Sequence, residues 1–105
     1  MKKLTIAAAA LALTGMFGTA VAGDAAAGKA LFTTKGCVGC HGANGISANP
    51  IWPNLAGQHA QYVVLSLKAY KNQERKSANA AQMYPFAGQL SDADMENIAA
   101  FVSGL

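Results

Sequence analysis

The sequence predicts an all-α domain of three to four helices, and three observations carry that expectation. Apolar residues recur at three- and four-residue spacing in three separate segments. The stretches between them are rich in Gly, Asn and Pro. No run of β-branched residues stands out as a strand anywhere in the 105 residues. No repeat or internal linker divides the chain after its leader, so one domain is expected.

The elements follow in order. Met1-Lys2-Lys3, the apolar run "LTIAAAALALTGMFG" and the small residues Ala20 to Ala22 have the layout of a secretory leader over residues 1–22, with cleavage between Ala22 and Gly23. A membrane anchor is the competing reading, since the apolar run is close to a span in length. The small-residue site favours cleavage, and no cysteine follows it to take a lipid. Residues 23–105 are then an exported domain, placed in the periplasm with no transmembrane anchor. "GDAAAGKALFTTKG" suits a first helix with Asp24 as N-cap and Gly28, Leu31 and Phe32 on one face. "ANGISANPIWPNLAG" reads as loop. "HAQYVVLSLKAYKN" gives a helix whose expected stripe is Tyr62, Leu65, Ser66 and Ala69. "QERKSANAAQMYPFAGQ" breaks the pattern and is expected to be irregular. Ser91 opens a last helix, with Asp94 completing a capping box and Met95, Ile98, Ala99 and Val102 facing inward.

The chemistry concentrates in "GCVGCHG", which holds both cysteines, Cys37 and Cys40, with His41 next to the second. An oxidising compartment does not leave a free thiol pair reduced. Structural zinc needs four ligands, and only His41 and His59 join the two cysteines. A thioredoxin-type centre wants a strand before it, whereas the preceding segment is alanine-rich. A disulfide remains the weaker alternative. C-x-x-C-H is the spacing for covalent haem attachment. Residues three apart on a helical turn point the same way, so Cys37 and Cys40 can both reach the vinyl groups on one porphyrin edge. His41 then supplies an imidazole to the iron, and Gly36, Gly39 and Gly42 leave room for the ring. Eighty-three residues bury only a small core, and one haem c would complete it.

The second axial ligand decides what a haem does. The residues favour Met83, in a loop able to cross the far face, over His59 at the start of a helix or Met95 on the buried stripe of the last one.

These motifs together resemble the class I c-type cytochromes, in particular the small bacterial periplasmic monohaem type and one half of the dihaem periplasmic cytochromes c. The residues that carry the resemblance are "CVGCH", "PNLAGQ" at Pro53 to Gln58, and "MYPFAGQLSDADMENIAAF". It implies the class I cytochrome c fold wrapped around one covalently bound haem, with Met83 as axial methionine. It also implies that the Pro53 carbonyl accepts the N–H of His41, that Leu55 packs on the haem, and that Gly28, Phe32 and Phe101 mark the crossing of the first and last helices. Similar proteins often carry glycine after the middle helix, where this chain has Asn72 and Gln73; asparagine tolerates the left-handed conformation.

A His/Met pair keeps both ligands in both oxidation states and raises the potential. The expected role is a one-electron shuttle between respiratory-chain partners, not an enzyme. A peroxidase-like enzyme or a haem-based ligand sensor is the alternative, and each needs an open sixth position. The donor and the terminal oxidase or reductase that accepts are not named by the sequence, and a monomer or weak homodimer is expected. The chain carries +3, but Lys2 and Lys3 leave with the leader, so six basic side chains face five acidic ones. A nucleic-acid role therefore has no support. Lys68, Lys71, Arg75 and Lys76 cluster near the end of the middle helix, where helix-end electrostatics explains them better than a docking patch for an acidic partner. Ile51 and Trp52 sit in a loop, open to haem packing or to contact with another subunit.

Overall fold

The computed structural model describes residues 22–105, and all regular structure among them is helical. The expected leader lies outside the described residues, apart from Ala22. Among the described residues no helix is long and apolar enough to cross a membrane.

Helix α1 runs Ala25–Thr34, started by the Asp24 carboxylate, which accepts the N–H groups of Ala26 and Ala27. It ends in a Schellman motif. Gly36 takes φ +86°, and the N–H of Cys37 reaches back to the Phe32 carbonyl at 3.0 Å. That turn delivers Cys37 directly onto α2, the single turn Val38–His41. A loop then leads to α3, Ala60–Lys71. A 3₁₀ turn, Ala80–Met83, runs into the one-turn α4, Tyr84–Ala87, whose first turn accommodates Pro85. Helix α5, Asp92–Ser103, opens with the expected capping box: Ser91 Oγ accepts the Asp94 N–H, and the Asp94 carboxylate accepts the Ser91 N–H, both at 3.0 Å.

The core forms where α1 crosses α5 and α3 packs against α5. Phe32, Met95 and Val102 are its largest fully buried side chains, with Ile98 and Ala99 beside them. The Phe32 and Phe101 rings meet at 5.4 Å and 60°, a tilted contact. The backbone N–H of Asp24 donates to Asn97 Oδ1 at 2.9 Å across the same crossing. Gly28 permits this approach, because a Cβ there would overlap the Asn97 carbonyl and press on the Phe101 Cβ. Gly28→Ala should therefore cost about 1–3 kcal/mol of stability, measured by denaturant unfolding; an unchanged midpoint would show that the crossing tolerates a methyl group.

Four expectations are corrected. The buried face of α3 is Val63, Val64 and Leu67, while Tyr62 and Leu65 are exposed at 49% and 58%. Almost every residue of α3 but its lysines and Gln61 is apolar or small, so periodicity permits several phases, and α5 selects this one. The stretch expected to be irregular holds the 3₁₀ turn and α4, each only four residues and too short for a periodic signal. The residue in the left-handed region after α3 is Gln73 (φ 56°), not Asn72 (φ −86°). Gln73 takes that position because the Glu74 N–H closes a second Schellman motif on the Ala69 carbonyl. Finally, of the three motif glycines only Gly36 faces the cleft described next. Gly39 has nothing near its Cα side, and Gly42 (φ 81°) serves a turn against Ile46.

Candidate functional site

A cleft of about 540 Å³ opens into the core from the side of α2, within the ~300–1,000 Å³ usual for cofactor sites. Its walls are mostly apolar: Phe32, Val63, Leu67, Phe86 and Ile98. Cys37 and Cys40 line it from α2, Pro53 and Leu55 from the long loop, and Met83 from the end of the 3₁₀ turn. All six residues singled out in the sequence thus meet at one cavity, His41 included.

His41 is the buried polar residue of the described chain, 6% exposed. Its Nδ1 lies 2.8 Å from the Pro53 carbonyl oxygen. An oxygen with no proton can only accept, so Nδ1 carries the hydrogen, and in the neutral ring Nε2 holds the lone pair. Among the described residues no buried side-chain nitrogen lacks both a partner and access. Nε2 is therefore the atom that opens to the cleft. The acceptor is held firmly by its own loop. The N–H groups of Leu55 and Ala56 donate to the Gly45 carbonyl, and Asn54 Oδ1 accepts the Ser47 N–H at 2.7 Å. Both thiols are free and half-buried, and burial pushes the Cys37 thiol above its usual range, partly opposed by a backbone hydrogen bond.

These features fit a covalently attached haem. Two sulfur atoms sit on one helical turn, an imidazole is locked in one tautomer with its other nitrogen aimed at an apolar-walled cavity, and a thioether lines the same space. The two alternative ligands are placed elsewhere. Met95 is fully buried in the α5 core and His59 is exposed at the N-cap of α3; neither lines the cleft.

Several cleft residues were not singled out as site residues by the sequence. The guanidinium of Arg75 lies over the Tyr70 ring at 4.9 Å and donates to Ser66 Oγ, while the Tyr84 hydroxyl donates to the Arg75 carbonyl. Lys71 Nζ donates to the Leu90 carbonyl. Two members of the basic cluster are thus engaged within the fold. Trp52 lines the cleft, and its Nε1–H donates to Gln82 Oε1 at 2.9 Å, joining the two loops. Trp52 is the sole tryptophan, the one sequence signal that could have marked this contact; nothing marks Gln82.

The comparisons with known proteins agree with this geometry. A family model described as cytochrome c matches residues 25–105. Cytochrome c-554(548) of Halomonas halodenitrificans is 52% identical over 82 residues, covering 78% of this chain and 96% of that protein. Cytochrome c4 of Thiocapsa roseopersicina is 43% identical over 79 residues, covering 75% of this chain but 38% of its own length. The solved cytochrome c4 of Acidithiobacillus ferrooxidans superposes with a TM-score of 0.68 at 35% identity, over 84% of this chain and 52% of that one. The chain therefore spans nearly all of the c-554(548) relative and about half or less of the c4 relatives.

Proposed function

This chain belongs to the cytochrome c family, and we propose that it is a periplasmic one-electron carrier holding a single haem c through Cys37, Cys40, His41 and Met83. Family membership brings a covalently bound haem c and an electron-transfer role that requires redox partner proteins. When bound, the haem supplies a one-electron change between ferrous and ferric iron.

The chain's own residues determine how that change is used. Cys37 and Cys40 would hold the ring edge through their sulfur atoms. The Pro53 carbonyl fixes the His41 ring by taking its Nδ1–H, which in the neutral ring leaves the lone pair on Nε2 and makes it a stronger donor toward a metal. Met83 offers a soft thioether, which favours the reduced metal. Phe32, Val63, Leu67, Phe86 and Ile98 line the site with apolar surface, which would further favour the less charged state. His41 and Met83 would together hold the metal, leaving oxygen and peroxide no place to bind, and that would separate a carrier from a haem enzyme or sensor. The observation that carries the reading is the oriented His41, with its free nitrogen on the cavity that Met83 also lines.

Carbon monoxide tests it. Added to the reduced holoprotein at neutral pH, it should bind slowly and incompletely. Rapid stoichiometric binding would instead establish an open sixth position and a ligand-binding function.

A further inference from the structure

We propose that the hydrogen bond between Trp52 and Gln82 is a clasp that positions Met83 at the iron, with Trp52 and Gln82 acting as positioning residues. The inference rests on the reading of Met83 as an axial ligand and goes beyond it by naming what holds that ligand in place.

The two partners lie 30 residues apart in the chain and each stands immediately before a site residue. Trp52 precedes Pro53, whose carbonyl orients His41; Gln82 precedes Met83. The Trp52 side is anchored. Its N–H donates to the Asn49 carbonyl at 3.1 Å, and the loop around it is tied through Ser47, Asn54, Leu55 and Gly45. The Met83 side is not self-sufficient. A four-residue 3₁₀ turn has little stability of its own, and residues 76–79, which lead into it, are all exposed. The chemistry also fixes which way the Gln82 amide points. Indole nitrogen only donates, so the amide oxygen must face it, and the Nε2 group then donates to Asn79 Oδ1 at 3.3 Å. Gln82 is thereby held at both ends of its amide, once by its own turn and once by the opposite loop. Without the indole partner, the turn bearing Met83 keeps Asn79 but loses its hydrogen bond to the histidine-side loop.

The experiment uses ferric holoprotein with imidazole as a probe that competes with Met83. Met83→Ala is compared first, to establish that the far-red band belongs to this methionine. A variant spectrum identical to wild type would remove the ligand assignment, and the clasp with it. With the band assigned, Trp52→Phe and Gln82→Ala should each raise imidazole affinity roughly three- to tenfold, the range of one net hydrogen bond. The double variant should show no more than either single one, because both remove the same bond. Gln82→Glu, which keeps an acceptor for the indole and gives up only the donor to Asn79 within its own turn, should bring the affinity back toward wild type. The one indole N–H of the protein should exchange slowly in wild type and quickly in Gln82→Ala. Unchanged imidazole affinity in Gln82→Ala, or strictly additive effects of the two substitutions, would overturn the clasp while leaving Met83 as ligand.

Discussion

Met83→Ala should abolish the weak far-red band of ferric iron bound to sulfur and lower the reduction potential by on the order of 100 mV or more, within the ~0.8 V range that axial ligands command. The fold should survive, because Met83 is only half-buried at the end of a four-residue turn and sits at the edge of the core cluster. Spectroscopy on the purified holoprotein and a redox titration measure both quantities. Met83→His should keep the iron six-coordinate yet still lower the potential, since an imidazole stabilises ferric iron better than a thioether does. Retention of the band in Met83→Ala would refute the assignment and return the question to Met95, the other methionine among the described residues.

Met95→Ala should behave in the opposite way. It should leave the far-red band unchanged while destabilising the protein by about 2–5 kcal/mol, the usual cost of truncating a fully buried methionine. Met95 is inaccessible between α5 and its neighbours, among Phe32, Ile98 and Val102, and has no surface on the cleft. Guanidinium unfolding followed by far-ultraviolet circular dichroism gives the stability, and the visible spectrum gives the ligand state. A small total stability makes a loss of this size easy to see. Together the two substitutions separate the methionines by role, one moving the spectrum and the other the unfolding midpoint.

How much of this was legible beforehand follows from the range of the interactions involved. The caps were readable because each is local: Asp24 and Ser91 bond to backbone groups two or three residues on. The face of α5 was readable because polar residues there interrupt the apolar ones and leave one phase, Met95, Ile98, Ala99 and Val102. Helix α3 offers no such interruption, so its phase was set by the helix that packs on it, and the expected stripe fell on the wrong side. The C-x-x-C-H motif was readable as a local spacing, and all three of its side chains line the cleft. The Pro53 carbonyl could be expected only through family resemblance, since it is a backbone atom with no residue-type signal. The Trp52–Gln82 and Tyr84–Arg75 contacts join segments nine to thirty residues apart, the second of them through a backbone carbonyl; apart from the single tryptophan, nothing in composition or period records such a meeting.

The crossing at Gly28 also imposes an order of events. Ribosomes make chains from the amino end, so Cys37 and Cys40 exist well before Asn97 and Phe101, the partners against which α1 packs. Long-range contacts of this kind form last, because much chain must be brought together to make them. Until residues 92–103 pack, the face of α1 that carries Gly28 and Phe32 has no partner, so the first helix and the cysteine turn that follows it are fastened only when the last helix closes.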